Sequence, residues 1–255
     1  MNPKIGDWRA RRVWVIGAST GIGAATGELL AASGARVAFS ARSADKLSVL
    51  AAGAPGSLAL PLDVLDAASV AAACARLVDA WGGVDLVLVV AGGYNEMRAD
   101  SFDLDAANAM LDLNVRGVFN CLAPVLPLLL RQGAGGIGIV SSVAGYSGLP
   151  KALAYGPTKA ALINLAESLY LDLHPRGIGV YLINPGFVAT PLTANNEFKM
   201  PGLMTADGAA AALVDGIERG RFHIHFPGRF TNWLRLARLL PYRAYFALIR
   251  KVTGL

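Results

Sequence analysis

The sequence predicts an α/β fold: a parallel sheet, doubly wound, with helices on both faces. Three observations carry that expectation. Short β-branched runs alternate with longer helical patterns nearly to the end of the chain. The runs are apolar throughout rather than at every second position, as strands covered on both faces require. The first of them passes straight into a glycine-rich turn that opens a helix. Such alternation closes a core between a sheet and two helical layers through right-handed crossovers.

In order, residues 13–16, Arg36–Ser40, 58–62, 84–90, 137–141 and 180–183 read as strands. The first helix runs over Gly21–Ala32 and ends at Gly34, a residue suited to a left-handed cap. A second starts behind Ser43, and a third runs from an Asp66 cap to Trp81, where Gly82 and Gly83 stop it. Residues 102–132 are too long for one unbroken helix, and Pro124 and Pro127 predict the kink. Pro157 suits the first turn of the next helix, which ends before Pro175 and Gly177.

With 255 residues the chain has room for one α/β domain with a large core. A hydrophobic share of 54%, a charged share of 16% and a mean hydropathy of +0.46 exclude a disordered chain. The net charge of +5 is unevenly spread: residues 219–255 hold eight Arg or Lys and no acid, and residues 1–218 hold 15 basic against 18 acidic side chains. The basic residues alternate with large apolar ones, so nucleic-acid binding is a poor explanation. Cys74 and Cys121 sit in apolar helical stretches and read as buried, reduced thiols. His174, His223 and His225 make no metal constellation, although His223 and His225 alternate in a strand-like run and share a face. The expectation is no metal. The run at 13–16 lacks the features of a secretory signal, and no uncharged apolar run reaches spanning length, so a cytoplasmic protein is expected.

Gly17-Ala18-Ser19-Thr20-Gly21-Ile22-Gly23 joins the first strand to the first helix. A chain that binds a pyrophosphate must turn sharply there, approach it closely and aim free N–H groups and a helix dipole at its charge. Glycines at 17, 21 and 23 serve those needs. A carboxylate at the end of the second strand would bind the ribose 2′-hydroxyl of NAD, and Phe39-Ser40-Ala41-Arg42 contains none. Arg42 offers a fork of donors to a 2′-phosphate, which favours NADP(H) over NAD(H); as a solvated surface charge it would need no such role. Asp63 suits either the adenine edge or a turn cap.

Tyr155-Gly156-Pro157-Thr158-Lys159 stacks a phenol and an ammonium on one helical face. A nearby lysine favours the phenolate and lowers the phenol pKa, and the protonated phenol can donate to a carbonyl oxygen as hydride arrives. Ser141-Ser142 closes a strand upstream, where a hydroxyl suits a developing oxyanion. In Asn184-Pro185-Gly186-Phe187-Val188-Ala189-Thr190, backbone groups and the Thr190 hydroxyl suit a carboxamide such as that of nicotinamide.

With GASTGIG at 17–23, LNV at 113–115, SS at 141–142, YGPTK at 155–159 and NPGFVAT at 184–190, the sequence resembles the short-chain dehydrogenase/reductase family over roughly residues 10–225. The resemblance implies a Rossmann-type sheet of about seven strands and a homodimer or homotetramer. It implies Tyr155 as acid/base, Lys159 as the residue that binds the nicotinamide ribose and lowers the tyrosine pKa, and Ser142 on the substrate oxygen. Asn114 would position a water behind Lys159, or bond to backbone and kink its helix, or both. Asp63, Val64, Ala91 and Gly92 would add cofactor contacts. Two motifs depart from the family pattern: Ile16 replaces the usual Thr, and Val89-Val90-Ala91-Gly92 replaces Asn-Asn-Ala-Gly.

Residues 187–205 form an expected lid, with Leu192, Phe198, Met200, Leu203 and Met204 as apolar pocket walls, which favours a small lipophilic substrate. Residues 1–227 make the expected dinucleotide-binding and catalytic domain. Residues 228–255 form a basic amphipathic extension in two short helices divided by Pro241. Three uses of it compete: docking on a membrane surface, covering the substrate mouth, and packing against another subunit. The leading function is hydride transfer between NADP(H) and a carbonyl or alcohol. The alternative is a non-catalytic NADP(H)-binding regulatory or membrane-peripheral protein that keeps the fold.

Overall fold

A computed structural model describes residues 1–194, 196 and 200–254. Seven parallel strands lie in the order β3-β2-β1-β4-β5-β6-β7: β1 Arg12–Ile16, β2 Arg36–Ser40, β3 Leu58–Ala59, β4 Leu86–Val89, β5 Gly136–Val140, β6 Gly179–Pro185 and β7 His223–Phe226. The chain builds outward from β1 to β3, then crosses back to place β4 on the other side of β1. That reversal leaves a crevice beyond the carboxyl ends of β1 and β4, where open α/β sheets bind ligands.

The strands are apolar throughout because each feeds two core layers. Trp14 and Ile16 of β1 and Val87 and Val89 of β4 pack in one layer, against Leu77 of α3 (Ala67–Trp81), Val125 of α5 (Gly117–Gln132) and Leu162 of α6 (Tyr155–Leu173). Val13, Val15, Leu86 and Leu88 pack in the other, with Leu30 of α1 (Gly21–Ala32), Leu47 of α2 (Ala44–Ala52) and Leu213 of α7 (Ala206–Glu218). Each such buried aliphatic side chain contributes about 1.5–3 kcal/mol of transfer free energy. A register slip of one residue would exchange the two layers.

Local signals set most helix ends. Asp66 accepts from the Ala68 and Ser69 N–H groups at 2.9 and 3.2 Å, and Gly82 ends α3 in the left-handed region. β3 is shorter than expected: extended chain continues, with Leu60 and Leu62 N–H donating to Phe39 and Ala41 O, but Pro61 between them has no N–H to add. β4 is trimmed because the Gln132 amide takes both backbone groups of Val84, at 3.0 and 2.7 Å.

The interruption expected at Pro124 and Pro127 lies elsewhere. A π turn at Asp112–Arg116 separates α4 (Leu104–Leu111) from α5, and both prolines sit inside α5 on its outer side. Carbonyls that lose an N–H partner there can turn to water, so the helix continues. By length and mean hydropathy the stretch Leu104–Gln132 would suffice to cross a bilayer. Its inner side, however, is core: Val118, Cys121, Leu122, Val125 and Leu129 are buried under the sheet. The tail forms α8 (Gly228–Ala237) and α9 (Tyr242–Thr253), with Pro241 between them.

Candidate active site

The glycine turn needs its glycines for separate reasons. Gly17 and Gly21 have φ of +97° and +57°, which L side chains rarely adopt. A Cβ at Gly17 would overlap the Ala91 backbone, and one at Gly23 would overlap the Gly17 carbonyl. The turn is therefore pressed against both the β4 end and its own helix. Thr20 makes no side-chain cap, so the first N–H groups of α1 stay available at the crevice. A helix N-terminus and a cradle that any side chain would fill suit a pyrophosphate.

This turn opens on a cavity of about 350 Å³ whose wall gathers Gly17, Ser19, Thr20, Gly21, Ile22, Gly23, Arg42, Asp63, Val64, Ala91, Gly92, Ser142, Tyr155, Lys159, Pro185, Gly186, Val188 and Thr190. That volume falls in the range of small-molecule sites. Ser43, Gly93, Leu113 and Thr193 also line it, and the sequence reading did not pick them out. Arg42 is exposed at the rim, and no acid lies between Ser40 and Ser43. Asp63 caps a turn, its Oδ1 accepting from Leu65 N–H at 3.0 Å, and still reaches the wall. The Ile16 and Val90 departures leave the loops tied by backbone: Val90 and Ala91 N–H both donate to Ile16 O, at 2.8 and 2.9 Å.

Tyr155 opens α6, one turn ahead of Lys159. The three-residue helical turn after β5 packs so closely on α6 that a Cβ at Gly145 would meet the Lys159 backbone, which holds Ser142 beside Tyr155. Ser141 Oγ donates to Lys159 O at 2.7 Å and locks the strand end to the helix. The Ser142 hydroxyl lies near that of Tyr155 and favours its ionised form. Lys159 Nζ donates to Val140 O at 3.1 Å and lies 5.7 Å from the Tyr155 ring centre.

The electrostatics depart from the expected pairing. Burial pushes the Tyr155 phenol up to about 12, against the opposing effect of Ser142. Burial also brings Lys159 down to about 8. At neutral pH the phenol is therefore protonated, and the lysine still carries its charge for the most part.

Asn114, within the π turn, is fully buried and lies behind the cavity wall. Its Oδ1 accepts from Gly93 N–H at 2.7 Å, and its Nδ2 donates to Gly93 O at 2.9 Å and Thr158 Oγ1 at 3.1 Å. A Cβ at Gly92 would lie 3.2 Å from Asn114 Oδ1 and 3.3 Å from Lys159 Nζ, so both polar groups flank that glycine. Thr158 and Tyr94 escaped the sequence reading. Thr158 donates to Tyr155 O at 2.7 Å, and the Tyr94 ring meets the Tyr155 ring edge-on at 5.0 Å.

A second polar cluster lies beside β6 and β7. His223 and His225 share a face, ring centres 4.9 Å apart. The Tyr146 hydroxyl and Asn184 amide converge on His223 Nε2 at 2.9 and 3.0 Å, while Thr231 and Arg235 from α8 engage the two nitrogens of His225. The segment expected to form a lid has its two ends joined: Ala189 N–H donates to Met204 O and Met204 N–H to Phe187 O. Leu192 lines the cavity, Leu203 is exposed, and Phe198 lies outside the described residues.

Known proteins resemble this chain in sequence and in fold. The family model described as short chain dehydrogenase matches residues 11–200. An uncharacterized oxidoreductase of Myxococcus xanthus is 36% identical over 95% of this chain and 97% of its own length. A 3-oxoacyl-[acyl-carrier-protein] reductase of a Synechocystis strain is 34% identical over 71% of this chain and 75% of its own. Among solved structures, a short chain dehydrogenase from Burkholderia cenocepacia in complex with NADP superposes with a TM-score of 0.84, covering 95% of this chain and 98% of that one at 24% identity. These matches cover most of the chain, and the protein is therefore an oxidoreductase of the short-chain dehydrogenase/reductase family.

Proposed function

We propose that the protein transfers hydride between NADP(H) and the carbonyl or alcohol group of a small lipophilic substrate. The observation that carries this reading is the convergence of Ser142, Tyr155 and Lys159 on the same cavity as the glycine turn. The turn and the α1 N-terminus would hold the pyrophosphate, Arg42 the 2′-phosphate, and Asp63 and Val64 the adenine end. Ala91, Gly92 and Lys159 would hold the nicotinamide ribose, and residues Pro185 to Thr190 the carboxamide. The bound nicotinamide supplies or accepts the hydride.

The protein's own part is positioning and proton transfer. Ser142 and Tyr155 offer two hydroxyl donors to one substrate oxygen. The Tyr155 proton, held at neutral pH, passes to that oxygen in reduction, and the Lys159 charge stabilises the phenolate left behind. A water between Asn114 and Lys159, beside Gly92, would return the proton. The apolar side chain of Leu192 in the cavity wall favours a lipophilic substrate.

We place the catalytic unit in residues 1–227 with its lid at 187–205, and the protein in the cytoplasm as a homodimer or homotetramer. Exposed Phe119, Leu130 and Leu171 on α5 and α6 suit such an interface. The test is a panel of steroid, fatty-chain and small carbonyl compounds followed by NADPH absorbance. Tyr155→Phe should lower kcat by about 100- to 10,000-fold with NADPH affinity nearly unchanged. Undiminished turnover in that variant would reject the assignment.

A further inference from the structure

The two tail helices present surfaces that the core does not explain. In α8, Thr231, Leu234 and Ala237 point inward and are buried. The opposite side carries Trp233 and Leu236, 36% and 66% exposed, and the connection to α9 adds Leu239 at 78%. In α9, Tyr245 and Ile249 are buried, with the Tyr245 hydroxyl donating to Gly148 O at 2.8 Å. Its outward side bears Arg243, Arg250 and Lys251, flanked by the stacked, exposed rings of Tyr242 and Phe246 at 5.7 Å. Residues 228–255 hold six basic side chains and no acid. Among the described residues, none of Arg229, Arg238, Arg243, Arg250 and Lys251 belongs to an ion pair.

We propose that α8 and α9 dock on a bilayer surface that carries anionic headgroups. Exposed aromatic and aliphatic side chains interleaved with unpaired cations are the composition of an in-plane interfacial helix. Each cation near an anionic surface is drawn to it by the negative surface potential. A second copy of the chain fits less well, because a symmetric contact would bring two acid-free basic surfaces together. Helices of 10 and 12 residues are too short to span a bilayer, so they lie along it. The inner side of α8 covers the lid: Phe230 packs on Phe187 at 5.6 Å, and Gly202 sits under Pro227 and Phe230. Docking therefore holds the lid next to the lipid, whatever the substrate proves to be.

The test is flotation of the full-length protein with vesicles of phosphatidylcholine, with or without a third of phosphatidylglycerol. Binding should require phosphatidylglycerol, weaken about tenfold or more in high salt, and blue-shift tryptophan emission, a shift lost in Trp233→Phe. Leu236→Asp with Phe246→Asp should abolish binding, as should Arg243→Glu with Arg250→Glu and Lys251→Glu. Circular dichroism and NADPH titration would verify the fold of both variants. Turnover of a water-soluble ketone, run in parallel, should be unchanged in them. A wild type that floats but turns nothing over leaves docking intact and rejects the reductase reading. Equal binding to both vesicles, binding to neither, or self-association removed by the same substitutions overturns the proposal.

Discussion

Asn114 grips both backbone groups of Gly93, accepting from its N–H at 2.7 Å and donating to its carbonyl at 2.9 Å. The clamp fixes the loop after β4, and with it Gly92 in the cavity wall, against the start of α6 through Thr158. Asn114→Ala strands buried backbone groups and should cost about 2–4 kcal/mol, a fall of roughly 5–10 °C in Tm. Activity should fall further than that stability loss accounts for. Normal melting and normal kcat together would show that the clamp is dispensable.

Cofactor preference should reside in one side chain. Arg42→Ala should weaken NADPH by about 10- to 100-fold, the range of a lost charge-assisted contact, and leave NADH nearly unchanged. Isothermal titration with both dinucleotides decides it; equal losses would remove Arg42 from the 2′-phosphate.

Gly23 lies in a helix, where alanine ordinarily stabilises. Here its Cβ would overlap the Gly17 carbonyl, so the turn must shift. Gly23→Ala should lower NADPH affinity by about tenfold or more, with circular dichroism unchanged. Wild-type affinity would mean that the turn does not hold the pyrophosphate.

Acid should loosen the β6–β7 side. Burial, reinforced by His225 and Arg235, depresses His223 from 6.5 to about 4 in the folded chain. The unfolded chain therefore binds more protons between those values. Stability from neutral His223 is complete above pH 6.5 and is lost as pH falls towards 4. After allowance for the partly exposed ring, the loss is about 1–2 kcal/mol. Urea midpoints at neutral and acid pH should show it, and His223→Gln should flatten the dependence. An equally steep dependence in that variant would assign the effect to other groups.

Burial also gives the site a pH signature. Lys159, brought down to about 8, loses its charge well below a free lysine. Reductive turnover should therefore decline as pH rises through about 8, since the phenolate then lacks its neighbouring charge. A flat rate from neutral pH to well above that value would show that the charge contributes little.

The sequence alone determined the order of the first six strands, the caps at Asp66 and Gly82, the glycine turn, and the helical face that Tyr155 and Lys159 share. These depend on neighbours close along the chain: side-chain period, left-handed turns, and spacing on one helical face. Tertiary structure decided the rest. It placed the helix break at the π turn, where Asn114 bonds the Gly93 backbone as one reading of that residue expected, and not at the prolines. It brought Tyr146, Asn184 and His223 together from three separate segments. It also raised the phenol that the helical spacing alone would have lowered, because dehydration of a buried group depends on everything packed around it.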